Sequence, residues 1–143
     1  MAQWLVKSEP DAFSWQQQVE NGVEPWTGVR NAQAAKFLRA MAVGERAFFY
    51  HSNIGKEIVG VVEVARAAYP DPTEDTGPKG IQRWACVDMR AVGPMPRPVT
   101  LATIKATPGL EEIGLIRQSR LSVMPVSDAH WAMLCEMGGW PGR

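Results

Sequence analysis

Two short runs near the start of the chain place a tryptophan beside hydrogen-bonding groups: Trp4-Leu5-Val6-Lys7-Ser8-Glu9-Pro10 and Trp26-Thr27-Gly28-Val29-Arg30-Asn31. A large flat ring next to donors and acceptors is the mixture that holds a planar polar ligand. Trp26 is the sharper candidate, because it lies between Pro25 and the Thr27-Gly28 pair, outside any periodic element, where no core face obviously claims a ring. An indole so placed can stack on a base, an interaction worth about 1–3 kcal/mol in single-strand binders. The plainer reading is a plug between two helices.

The other polar candidates each carry two readings. Lys7 and Ser8 end a first strand; they are either an exposed lysine and a turn-forming Ser-Glu-Pro, or an edge that hydrogen-bonds a ligand. Glu9 either accepts from an exocyclic amine or caps the next helix, and capping is the stronger expectation. In Phe48-Phe49-Tyr50-His51-Ser52-Asn53, alternation puts Phe49 and His51 on one strand face, and one of the two faces must be core. A lone histidine there is more often structural than catalytic, but His51, Ser52 and Asn53 become polar edges if that strand end opens into the same pocket. Trp84 is a second wall or a core ring, with nothing to choose between them. Arg117-Gln118-Ser119-Arg120 is a solvated run or a phosphate clamp, since arginine offers planar bidentate donors. Arg30 and Asn31, with Arg117 and Ser119, are the expected rim, which Lys36, Arg39 and Lys56 could extend.

Signatures of catalysis are weak. Gly77-Pro78-Lys79-Gly80 lacks the length, the hydroxyl residue and the following helix of a phosphate loop. His51, Cys86, His130 and Cys135 have no zinc-type spacing, and no Gly-x-Ser-x-Gly elbow occurs. Neither a metal nor a cofactor is expected. A hydrolase centred on Lys7, with Glu9 or His51 as base, is the enzyme reading that survives.

The elements that must position these residues follow from pattern. With 143 residues, 45% of them apolar and 21% charged, the chain is expected to form one domain over residues 1–143 with a real core. Fifteen basic and fifteen acidic residues cancel, which argues against sequence-independent coating of nucleic acid while leaving room for a local basic patch. No apolar run approaches the roughly eighteen residues of a membrane span, and the first residues carry no signal pattern. The expected location is the cytoplasm, or the nucleus if the host has one. Cys86 and Cys135 are expected as buried free thiols.

Residues 3–8 read as a strand. Asp11 or Ser14 caps a helix that ends at Asn21-Gly22. The stretch 23–29 is expected to be irregular, and Asn31 caps a second helix with Ala35, Leu38 and Met41 inward. Strands follow over 45–52 and 58–64, the latter a central buried one. Residues 70–80 are a surface loop, 82–91 a strand, and Pro94, Pro96 and Pro98 space an extension. Thr100 caps a short helix, 120–124 form a strand, and Ser127-Asp128 begin a final helix holding Trp131 and Leu134 inward. The pattern indicates an α+β domain built on a small mixed or antiparallel sheet.

In order, the four quoted runs resemble the EVE family of the PUA-like superfamily, over a stretch from about Trp4 to Trp131. The resemblance implies a PUA-like small mixed β pseudo-barrel with flanking helices. It also implies a non-catalytic reader that flips a modified base of DNA or RNA, such as methylated or hydroxymethylated cytosine or methylated adenine, into an aromatic-walled pocket. In the similar YTH domains a tryptophan after the same kind of Lys-Ser strand walls such a pocket. This assigns the base to Lys7, Ser8, Trp26, His51, Ser52, Asn53 and Trp84, and flanking phosphates to Arg30, Asn31, Arg117 and Ser119. Distant relatives of the ASCH type cleave modified nucleosides, which keeps the hydrolase as an alternative; a small-ligand or protein-interaction scaffold is another. Thr27 stands where the family usually has an acidic residue, and the 71–84 stretch is shorter than usual, so one side of the pocket is built differently from the family pattern.

Overall fold

The computed structural model describes residues 1–141. Along these the elements run β1 (Gln3–Ser8), α1 (Trp15–Asn21), β2 (Val23–Pro25), α2 (Ala32–Ala40), β3 (Arg46–His51), β4 (Glu57–Pro70), β5 (Ala85–Thr100), α3 (Leu101–Ala106), α4 (Gly114–Arg117), β6 (Val123–Val126) and α5 (Asp128–Gly138). The strands form one sheet in the order β2-β5-β4-β3-β1-β6. β1 and β3 pair in parallel, Leu5 opposite Phe48, and the remaining pairs are antiparallel. The central strands are apolar on both faces: Trp4, Leu5 and Val6 of β1 and Ala47 to Tyr50 of β3 are all buried, as strands covered on both sides must be. α2 packs against both β5 and β6, which lie in opposite halves of the sheet. The sheet therefore curls around that helix, giving the expected mixed α+β pseudo-barrel.

Side-chain caps set the helix starts. Ser14, rather than Asp11, caps α1, and Gln17 completes a reciprocal capping box. Asn31, Thr100 and Ser127 each accept a backbone N–H from three residues on. Under the sheet, Phe48 stacks on Trp131 of α5 with centroids 3.9 Å apart. Trp4 is a core residue and not a ligand wall, its indole N–H donating to buried Glu45 at 3.0 Å. Cys86 and Cys135 are free and buried. No helix of the described residues is long and apolar enough to cross a membrane.

Four boundaries differ from expectation, the first being β4, which runs on to Pro70 rather than ending at Val64. The stretch expected to be irregular contains β2, which pairs with Asp88 to Arg90 of β5. β5 starts at Ala85 and continues through Pro94, Pro96 and Pro98 to Thr100. It does so because β2 covers only residues 88–90, so beyond them one side of β5 is a sheet edge, where a missing N–H breaks no ladder. The last strand is Val123–Val126 instead of 120–124, because Gln118 to Leu121 are taken by the turn that closes α4.

Candidate functional site

β1 ends at Ser8, and beyond it the chain turns at Pro10 while the β2–α2 connection passes alongside. Between them lies a cavity of about 470 Å³ lined by Lys7, Ser8 and Glu9, by Ala12 and Phe13, by Glu24 to Arg30, and by Ser122. Its fixed wall is Trp26. The indole is only 7% exposed and meets the edges of Phe49, at 5.5 Å between centroids, and Phe13, at 6.1 Å. Phe49 in turn meets Trp15 at 5.3 Å. Both readings of Trp26 therefore hold in part: it belongs to an aromatic cluster, and it borders a cavity.

Asp71 holds this wall from the far side. Its buried carboxylate accepts from the Gly28 N–H at 2.8 Å and from Arg30 Nη1 at 3.0 Å through Oδ2. Through Oδ1 it accepts from the Thr73 N–H at 2.7 Å and the Thr73 hydroxyl at 2.6 Å. Burial alone would raise this carboxyl, but the bonds from Thr73, Gly28 and Arg30 outweigh it and hold the pKa at about 2. Gly28, at φ 81°, takes the left-handed turn that brings its N–H to the carboxylate.

The polar end of the cavity is built from β1. Ser8 donates its hydroxyl to the Phe13 carbonyl at 2.5 Å, which closes the turn and leaves the oxygen's lone pairs as acceptors. Lys7 donates from Nζ to the Ser119 carbonyl at 2.8 Å, and burial lowers its pKa. Glu9 does not cap α1 with its side chain; the carboxylate instead accepts from Asn53 Nδ2 at 2.9 Å.

Of the residues assigned to the base, Lys7, Ser8 and Trp26 come together here, and His51, Ser52, Asn53 and Trp84 stand outside the lining. His51 Nε2 accepts the Trp15 N–H at 3.0 Å, so the ring joins β3 to the start of α1. Burial lowers its pKa, with Glu57 partly opposing, which keeps that nitrogen an acceptor. Ser52 binds through its N–H to the Ser8 carbonyl, and Asn53 reaches Glu9; both brace the cavity from behind. Trp84 lies beneath the Arg30 guanidinium at 5.9 Å and borders two separate clefts of about 290 and 480 Å³.

Of the four rim residues, Asn31, Arg117 and Ser119 line a second depression of about 370 Å³ with Gln33, Gln118, Arg120 and Leu121. It adjoins the first along the chain at Arg30–Asn31 and Leu121–Ser122. Arg30 lines the main cavity, but its guanidinium is occupied by Asp71, Thr73 and its neighbour's carbonyl. The Asn31 side chain is occupied as the α2 cap. Arg117 pairs with Glu112, both well exposed, and such a solvent-screened pair contributes little and is easily exchanged. The lining residues that sequence did not single out are chiefly Phe13, Glu24 and Ser122. Phe13 was the one with a signal, an aromatic three residues after Pro10 with no helical partner.

No cluster of three metal-ligating side chains occurs among the described residues.

The chain matches the EVE domain over residues 2–137. Human thymocyte nuclear protein 1 is 35% identical over 87% of this chain and 68% of the human protein, and its chicken counterpart is 35% identical, with 63% of that protein covered. The solution structure of a Rhodopseudomonas palustris protein superposes with a TM-score of 0.89 at 52% identity, covering 99% of this chain and 95% of that one. The human protein, solved in complex with DNA containing 5-methylcytosine, gives a TM-score of 0.87 at 32% identity, covering 96% and 98%. An ASCH protein of Zymomonas mobilis, at 14% identity and a TM-score of 0.58, shares the fold alone. This chain belongs to the EVE domain family.

Proposed function

We propose that the chain reads a modified nucleobase in nucleic acid, taking it into the Trp26 cavity without chemical change. The observation that carries this is the cavity itself, a cleft of about 470 Å³ with a buried indole as one wall and a polar end of Lys7, Ser8 and Glu9. Its size suits a single flipped base, and burial of the wall against Phe49 and Phe13 fixes the ring before the ligand arrives. The human relative solved with 5-methylcytosine DNA supports the same reading. The adjoining depression, with Arg117, Arg120 and Ser119, suits the flanking backbone. A non-catalytic role is favoured because, of the two candidate bases, His51 is engaged by Trp15 outside the cavity and Glu9 is held by Asn53, while Lys7 is bonded to a carbonyl.

The test is a tryptophan-fluorescence titration with short single strands of DNA and RNA carrying cytosine, 5-methylcytosine, 5-hydroxymethylcytosine or N6-methyladenine. Quenching that depends on the modification supports the reading. Identical curves for modified and plain strands would overturn it, and release of a modified nucleoside on prolonged incubation would replace it with hydrolysis.

A further inference from the structure

A cytosine reader that recognises a 5-methyl group faces a particular competitor. Thymine carries a methyl at the same ring position, so an apolar niche against Trp26 accepts both bases. They differ at position 4, where cytosine presents an amino donor and thymine a carbonyl acceptor. Separating them takes a fixed acceptor at the cavity's polar end. The lining offers two carboxylates, Glu9 and Glu24. Glu24 is tied only locally, to Asn21 three residues before it.

Glu9 is held differently. Its Oε1 accepts from Asn53, 44 residues away, and its other oxygen takes no hydrogen bond among the described residues. Asn53 makes this bond from a left-handed conformation, φ 64°, in a turn whose Lys56 is also left-handed, φ 48°. Such backbone costs of order 1 kcal/mol or more and persists where the surroundings fix it. Here Ser52 fixes it by donating its N–H to the Ser8 carbonyl, beside Glu9.

We propose that Glu9 is the specificity-determining residue of the cavity, accepting from the exocyclic amine of a 4-aminopyrimidine and thereby rejecting thymine, with Asn53 as its positioning residue. This rests on the base-reading role proposed above. Lys7, with ammonium donors beyond the one given to Ser119, serves the acceptor groups that both pyrimidines share. A carboxylate is the right group for an amine, because it accepts through every lone pair and has no donor to offer the thymine carbonyl. In Glu9→Gln the Asn53 amide still donates to the side-chain carbonyl. That turns the new NH2 toward position 4, where it suits thymine.

The experiment uses the full chain and three labelled single-stranded DNA oligonucleotides that differ at one position: 5-methylcytosine, cytosine or thymine. Dissociation constants come from fluorescence anisotropy at one salt concentration. Wild type is expected to favour 5-methylcytosine over thymine by at least about tenfold. Glu9→Gln should bring that ratio to about one or below while keeping the preference for 5-methylcytosine over cytosine, and the ratio cancels any general gain from removing a negative charge near phosphates. Asn53→Gly accommodates the positive φ, removes the side chain with its amide, and should give an intermediate ratio. An unchanged ratio in Glu9→Gln overturns the proposal, as does loss of discrimination in Glu24→Gln instead. If wild type does not distinguish 5-methylcytosine from cytosine, the base-reading role fails and this proposal with it; that comparison does not involve Glu9, so the two failures are separable.

Discussion

Replacing Asp71 by asparagine is expected to loosen the Trp26 wall from a distance. The carboxylate receives four bonds, two at each oxygen, and an asparagine has only one oxygen to offer. With the amide oxygen toward Gly28 and Arg30, the NH2 faces the Thr73 N–H and orphans it; turned the other way, it faces Gly28 and a guanidinium. The first orientation costs less, because the Thr73 hydroxyl can rotate to accept. A buried donor left unpaired and a charge-assisted bond weakened together amount to about 2–3 kcal/mol.

The same four bonds set the pH dependence of stability. The carboxyl titrates at about 2 in the folded protein against 3.8 for an ordinary aspartate, a depression equivalent to about 2 kcal/mol. A depressed carboxyl stabilises the fold fully above its unfolded value, and that stability is lost as pH falls from about 4 toward about 2. Roughly half should be gone by pH 3. Urea unfolding of wild type and Asp71→Asn at pH 7 and pH 3 therefore should show a deficit of about 2–3 kcal/mol that narrows by about 1 kcal/mol at the lower pH. A deficit below about 0.5 kcal/mol, or one that stays constant between the two pH values, would refute the reasoning.

Other consequences are simpler to read. Phe48 is fully buried and stacked on Trp131, so Phe48→Ala should lower stability by about 3–5 kcal/mol in chemical denaturation. At Gly60 a Cβ would sit 2.5 Å from the Trp15 ring, so Gly60→Ala should cost about 1–3 kcal/mol and shift the Trp15 fluorescence as the ring is displaced. Ser14→Ala removes the α1 cap and one half of its capping box, with a loss of about 1 kcal/mol expected in thermal melts. Replacing Arg117 by alanine should weaken binding to modified and plain strands alike and reduce the salt dependence of affinity, since that side chain lines only the second depression.

What the sequence disclosed was whatever rests on neighbours. Asn31, Thr100 and Ser127 were legible as caps because each bonds a backbone N–H three residues ahead. Ile58 to Val64 was legible as a central strand because five of its seven residues are apolar and β-branched and fall on both faces. The three-residue β2 was not, since nothing in Val23-Glu24-Pro25 marks it apart from its partner, more than sixty residues away in β5. Asp71 looked like one acid among several in a polar loop; its function is set by Gly28 and Arg30, over forty residues earlier. The same limit applies to the strand ends. His51, Ser52 and Asn53 were correctly brought near the end of β1, but only the register, with Ser8 opposite His51, shows that they brace the cavity from behind. Trp84 could be placed only once Arg30 was seen above it.

The central claim is that Trp26 walls a cavity for a modified base, and the most direct test is the affinity ratio between two oligonucleotides differing by one methyl group. Burial of that methyl is worth about 0.8 kcal/mol, or roughly a fourfold preference for 5-methylcytosine over cytosine. Wild type should show at least this ratio, Trp26→Phe should retain much of it, and Trp26→Ala, confirmed folded by its thermal melt, should reduce it to one. Equal affinities in wild type, or a preference that survives in folded Trp26→Ala, would contradict the account.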